Sequence, residues 1–215
     1  MKEVLLIGAG GHCHSCIEVL ESGGEYRIRG IVGRQHEVGQ SAFGYEVLGS
    51  DEDLPQLIEQ CPNAIIAVGQ IKSATARVEL YHRLVQLGAH LPTVTASTAV
   101  ISRNAKLGPG TLVMHGAIIN AGAVIGTNSI INSRALVEHD VNVGDHCHIS
   151  TGAILNGNVS VGNSTFVGSG AVVFQCTQIG NSAVIGAGTI VNCAVEDNVM
   201  LQPRCTCDSV KNSAS

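Results

Sequence analysis

The chain has 215 residues, 45% of them hydrophobic, 13% charged and 3% aromatic, and a formal net charge of −5. This apolar content excludes a mainly disordered chain, the low charge excludes a long coiled coil, and the acidic balance offers no basic face for nucleic acid. No apolar run reaches the roughly 18 residues that span a bilayer, and glycines break the N-terminal run at once, so a cytoplasmic protein is expected. The eight cysteines are accordingly expected to be reduced thiols.

Up to about residue 94, strands and helices alternate. Glu3–Ile7 reads as a buried strand, Gly8–Gly11 as a turn, and His12–Ser22 as a helix with Ile17 and Leu20 on one face. Ile28–Val32 and Ala64–Val68 read as further strands. Asp51 is placed to cap a helix running through Leu54, Leu57 and Ile58, and a longer helix is expected over Ser73–Leu87. This alternation predicts a small parallel, Rossmann-like α/β domain over residues 1–94.

Backbone N–H groups at the Gly8–Gly11 turn, aided by the dipole of the helix that follows, suit a phosphate. The G-x-G-x-x-G dinucleotide fingerprint is incomplete, because its sixth position is Cys13. The second strand also ends in Val32-Gly33-Arg34 and not in an acid that would hold a ribose. That leaves a nucleotide or phosphate site of another kind, or a tight turn that simply needs glycines. His12 is the polar side chain aimed at the turn. His12-Cys13-His14-Ser15-Cys16 contains metal-ligating residue types, but a lone C-x-x-C with no second pair is a weak zinc signal.

After residue 95 the rule changes. Stepping by six from Ile101 through Leu107, Val113, Ile119 and so on to Val191 meets only Leu, Ile or Val, and Thr95 and Asp197 end the run. A period of six fits a parallel β-helix with one inward aliphatic per flat side, three sides to a coil of about 18 residues, over residues 95–200. Gly, Asn and Asp at the corners, with Gly108, Gly126, Gly144, Gly162, Gly168, Gly180 and Gly186 as the glycines, are expected to supply strained backbone angles. Residues 201–215 read as a polar tail.

Aliphatics fill the inside of such a prism, so His115, His139, His146 and His148 must lie on its outside. His139 is flanked by Glu138 and Asp140, and a carboxylate there can fix its tautomer. One coil later the stacked residue is Gly157, which leaves an open notch and a backbone N–H able to stabilise an oxyanion.

The hexapeptide run resembles the left-handed parallel β-helix of hexapeptide-repeat acyltransferases, and the handedness comes from that resemblance. The Gly-Ala-Gly-Gly-His turn, the small α/β domain and Val137-Glu138-His139-Asp140 together resemble the two-domain acetyltransferases of bacterial nucleotide-linked amino sugars, with the sialic acid O-acetyltransferases as near relatives. The resemblance implies that His139 is the general base, with Asp140 orienting it, and that His148 and Gly157 meet the thioester of acetyl-CoA. It implies that Asn132 holds the sugar and that Gly8, Gly10, Gly11 and His12 bind the nucleotide. It further implies a homotrimer with sites between neighbouring prisms, and no metal.

The implied reaction is acetyl transfer to the amine of a nucleotide-linked sugar of the 4-amino-4,6-dideoxy type by direct attack, without a covalent intermediate. Sialic acid O-acetylation uses the same base and stands as the alternative. A γ carbonic anhydrase-type zinc site would need His139, His146 and His148 to converge. A non-catalytic β-helix binding protein is the remaining class. The chain departs from the family at Gly33-Arg34, where one or two Asp are usual, at Thr95-Ala96, where His-Pro is usual, and in its tail from Leu201.

Overall fold

The computed structural model describes residues 1–202, which divide into two compact units. The first comprises Met1–Gly69 and Thr75–Ser97, and the second comprises Gln70–Ala74 and the chain from Thr98 onward. None of the helices described is long and apolar enough to cross a membrane.

In the first unit, β1 (Lys2–Ile7), α1 (Gly11–Gly23), β2 (Tyr26–Gly33), β3 (Ser41–Ala42), β4 (Tyr45–Ser50), α2 (Leu54–Gln60), β5 (Ala64–Ile66) and α3 (Thr75–Gln86) build a sheet of order β3-β4-β2-β1-β5. All neighbours pair in parallel except β3 and β4. The central strand is buried throughout Val4–Ile7, which explains its unbroken apolar run. Leu5, Ile7, Val32, Leu54, Ile58 and Leu84 pack as one core on one side of it.

Two details depart from expectation. The β3–β4 hairpin is absent from the sequence reading because its turn is Phe43-Gly44, with φ of 47° and 86°, and a bulky residue hides the usual turn signature. Asp51 does not cap α2, whose N-cap is Asp53; the side-chain cap is made by Ser50, at the start of the turn before the helix. Ser50 N–H donates to Asp53 Oδ2 at 2.8 Å, its Oγ accepts from Glu52 N–H, and a 3₁₀ turn over Asp51–Asp53 leads into α2.

The second unit is a left-handed parallel β-helix of two-residue strands. Its first face stacks Val100–Ile101, Ile118–Ile119, Leu136–Val137, Ile154–Leu155, Val172–Val173 and Ile190–Val191. The second stacks Lys106–Leu107, Val124–Ile125, Asn142–Val143, Ser160–Val161 and Gln178–Ile179. The third runs from Leu112–Val113 through Ile130–Ile131, His148–Ile149, Phe166–Val167 and Val184–Ile185 to Met200–Leu201. The second residue of each pair fills the axis, and from Val113 to Val191 these positions are buried to 3% exposure or less.

The corner glycines serve a different purpose from the one expected. Gly108, Gly126, Gly144, Gly162, Gly168, Gly180 and Gly186 are not among the positive-φ residues. A Cβ on Gly126 would instead lie 2.5 Å from the Gly144 carbonyl carbon of the next coil, so close stacking demands the glycine. Left-handed backbone falls two residues later, at Asn128, Arg134, Asp140, His146, Asn158 and Ser164 among others.

Nor does the hydrophobic register stop at Val191. The corner after it is two residues shorter, so that Val195 bridges to Ile179 and Leu201 pairs with Ile185, both facing the axis. Cys13, Cys16, Cys61, Cys147 and Cys176 are free thiols, whereas Cys193 is disulfide-bonded, against the reduced-thiol expectation. Cys205, Cys207 and the tail beyond residue 202 lie outside the described residues.

Candidate active site

The turn Glu138-His139-Asp140 forms the edge between the first and second faces. Its shape depends on Asp140 accepting φ of 59°, a conformation that Asp tolerates better than most residues. The backbone is pinned on both sides, with Asp140 N–H donating to Ala121 O at 3.0 Å and Asn158 N–H donating to His139 O at 3.1 Å. Asp140 Oδ2 lies 2.9 Å from His139 Nδ1. The carboxylate accepts, so Nδ1 carries the proton and Nε2 keeps its lone pair. The two side chains are 59% and 60% exposed.

Gly157 lies one coil on. A Cβ there would sit 2.6 Å from His139 Nε2 and 2.7 Å from Cε1, so only glycine leaves the ring where it is. The Gly157 N–H meets no acceptor among the described residues. The proton-accepting Nε2 thus faces a glycine whose place a side chain would fill, and that glycine's own N–H has no acceptor among the described residues.

Asn132 and His148 form a second cluster. Asn132 Nδ2 lies 3.0 Å from His148 Nε2, and His148 Nδ1 lies 2.8 Å from the Gln70 carbonyl. A carbonyl can only accept, so the imidazole carries its proton on Nδ1 and accepts the Asn132 amide at Nε2. His148 is 6% exposed, and its ring meets Phe166 edge-on with centroids 5.3 Å apart. Gln70, which fixes this tautomer, escaped sequence analysis. It follows β5 with no pattern to mark it, and its Nε2 donates to Ser164 O at 3.1 Å.

The two clusters occupy different parts of the prism. His148 lies on the third face and Asn132 on the edge between the third and first faces, away from the edge of His139. His146 sits at the remaining edge, 3.0 Å from Asn128 Nδ2. Histidines 139, 146 and 148 therefore do not converge, and no group of three His, Cys, Asp or Glu among the described residues is arranged to hold a metal ion.

In the first unit, Gly8 N–H donates to Val32 O at 2.7 Å, with φ of 115°, and a Cβ on Gly8 would lie 2.6 Å from Val68 Cγ2. Gly10 caps α1 without a side chain, and no acid occupies the first turn, so no side-chain cap or first-turn carboxylate stands at the positive end of the helix dipole. A Cβ on Gly10 or Gly11 would meet nothing within 4 Å, so packing does not require glycine at either position. His12 packs beside Gly69.

Behind this turn, buried Arg77 donates to Val68 O at 2.6 Å and to Ile66 O at 3.4 Å, and burial lowers its pKa to about 10. Cys13 and Cys16 are buried in the core of the first unit, and burial pushes their thiols up to about 11 and about 12. An acid is present after β2, three residues later than expected. Glu37 Oε2 lies against Gly33, on which Ala9 also packs, and accepts the Arg34 N–H at 2.7 Å.

The sequence model of the PglD N-terminal domain family matches residues 3–84. No curated protein sequence matches the chain. Among solved structures, the chain is similar to a mutant of the GDP-perosamine N-acetyl transferase from Caulobacter crescentus in complex with CoA and GDP-perosamine, at 34% identity over 94% of each chain and a TM-score of 0.88. It is also similar to the acetyltransferase domain of PglB from Neisseria gonorrhoeae in complex with acetyl coenzyme A, at 30% identity over 94% of this chain and 96% of that one, with a TM-score of 0.86. WeeI from Acinetobacter baumannii shares the fold, at 22% identity over 93% of this chain and 96% of that one, with a TM-score of 0.79.

Proposed function

The chain belongs to the hexapeptide-repeat nucleotide-sugar acetyltransferases, and from that premise we propose that it transfers an acetyl group from acetyl-CoA to the amine of a nucleotide-linked 4-amino-4,6-dideoxy sugar, with His139 as general base. The observation that carries this reading is the notch between His139 Nε2 and Gly157, with Nδ1 already engaged by Asp140. An ammonium has no lone pair for attack, so a proton must leave first. Nε2 takes it, the amine attacks the thioester carbonyl, and the Gly157 N–H receives the oxyanion. The thiolate of CoA then leaves. Cys147, Cys13 and Cys16 do not serve as nucleophiles, since all three are buried and burial pushes the Cys147 thiol up to about 12.

The separate placement of the two histidine clusters supports a trimer. The outward positions of the first face form an aliphatic ladder of Val100, Ile118, Leu136, Ile154, Val172 and Ile190, of which Val100 and Ile190 are 62% and 60% exposed. The second face shows Lys106, Val124, Asn142, Ser160 and Gln178 in the same places. Turning the first face toward a three-fold axis buries the ladder and sets its two flanking edges against those of the neighbours. One edge bears His139 and Gly157. The other bears Asn132, with His148 beside it. Each site is then completed by two copies, His139 acting on an acetyl-CoA whose thioester also meets a neighbour's His148.

Gly8, Gly10, Gly11 and His12 are the proposed contacts for the nucleotide phosphates. A thiol-release assay with UDP-, dTDP- and GDP-linked 4-amino sugars tests the reading, and turnover of at least one is expected. His139→Ala should lose about 10²–10⁴-fold in kcat while acetyl-CoA still binds. An unchanged kcat removes His139 from the mechanism.

A further inference from the structure

We infer that Glu138 selects an amine over a hydroxyl as the acetyl acceptor. The inference rests on the acetyltransferase reading and assigns the residue that makes it N-acetylation. Glu138 is half-buried on the edge of the notch, one residue from the base. Its Oε2 accepts from Asn120 Nδ2 at 3.0 Å and lies 3.4 Å from the His139 N–H. These contacts fix the carboxylate while Oε1 makes no hydrogen bond to the described residues.

The groups around it are His139 and Asp140 in its own turn, neutral Asn120 in the coil before and neutral Asn156 in the coil after. None is a permanent cation, and Glu138 forms no ion pair among the described residues. A fixed, partly desolvated carboxylate held by neutral donors gains most from an incoming cation. A sugar amine is such a cation at neutral pH, whereas a hydroxyl brings no charge.

The acceptor then binds as R–NH₃⁺ with one N–H on Glu138. A second N–H gives its proton to His139 Nε2, and the freed lone pair forms the C–N bond to the thioester carbonyl carbon, whose oxygen becomes the oxyanion at Gly157; the C–S bond breaks as that oxyanion collapses. The CoA thiolate leaves with the electron pair, and the nitrogen sheds its remaining extra proton to it. Glu138 takes no proton and acts by binding.

Glu138→Gln keeps the shape and the Asn120 contact. The KM for the panel sugar that turns over fastest is measured at saturating acetyl-CoA from about pH 6 to 9.5, spanning the range in which an amine of this kind loses its charge. In the wild type, KM should rise as the amine is neutralised. In Glu138→Gln it should be about tenfold higher at pH 7 and nearly flat with pH, the loss falling on KM and not on kcat. A wild-type KM in the variant, or a rise by the same factor at every pH, overturns the inference. A second measurement needs no variant: the 4-hydroxy counterpart of that sugar, used as an inhibitor of the wild type, should bind about tenfold more weakly than the amine at pH 7. Equal binding there overturns the inference too. A wild type that releases no CoA with any sugar of the panel overturns the acetyltransferase reading instead.

Discussion

Gly157 stands where a single added carbon would come within 2.6 Å of Nε2 of His139. The contact is specific to this corner, since the other close-packed corner glycines of the prism are crowded by the next coil's backbone or by an Asx side chain there. Gly157→Ala should therefore tilt the imidazole without disturbing the coil. A misplacement of about 1 Å costs on the order of 10²-fold in kcat, while the midpoint of thermal unfolding should hardly move. Steady-state thiol release and a melting curve on the same sample check both halves. Full activity in this variant would mean that Nε2 is not the working atom.

If each site takes His139 from one chain and His148 from another, two dead variants should rescue each other. His139→Ala and His148→Ala, co-expressed in equal amounts, would assemble at random into mixed trimers. One interface in four then pairs an intact His139 with an intact His148, giving about a quarter of the wild-type rate. Activity no higher than the sum of the separate variants would place both histidines of a working site in one chain.

The parts of this arrangement that sequence reveals are those governed by periodicity. One aliphatic every six residues marks the axis of the prism, and the eighteen-residue coil alone pairs His139 with Gly157. Asn132 and His148 are recognisable only through resemblance, because their contact crosses between coils and depends on Gln70, which sits far away in the sequence. The corner glycines are visible, but not the reason for them: a steric demand from the coil above and a demand for left-handed φ leave the same residue in the sequence. The β3–β4 hairpin is hidden by Phe43, which holds a conformation usually given to glycine or asparagine.

Arg77 offers a test in the first unit. Its guanidinium holds the Val68 carbonyl at 2.6 Å, and Val68 packs against Gly8, so the proposed nucleotide turn rests on this contact. Arg77→Met fills much of the space but leaves a buried carbonyl without its donor, which costs about 1–3 kcal/mol. Denaturant titration should show that loss, and the KM for the nucleotide sugar should rise while the KM for acetyl-CoA holds. An unaltered nucleotide-sugar KM in a destabilised variant would confine Arg77 to the core.

Asp197 ends the sixfold repeat in sequence, yet in the structure it ends a ladder along the edge between the second and third faces. Thr127 N–H donates to Asp145 Oδ1 at 2.6 Å, Asp145 N–H to Asn163 Oδ1 at 2.8 Å, Asn163 N–H to Asn181 Oδ1 at 2.9 Å, and Asn181 N–H to Asp197 Oδ1 at 2.7 Å. The two-residue shortening after Val191 is what brings Asp197 into this column. The Asn181 backbone N–H, and then its side-chain amide, hold the Asp197 carboxyl below its ordinary value. A depressed carboxylate adds stability that is fully present above the unfolded value near 3.9 and disappears as pH falls through the folded one. Asp197→Asn keeps an oxygen for the Asn181 N–H but has no charge to lose. The wild type should therefore melt higher than this variant at pH 6, and the gap should begin to close only below the ordinary carboxylate range. A gap that stays constant through that acid range would show that the charge on Asp197 does nothing for the last coil.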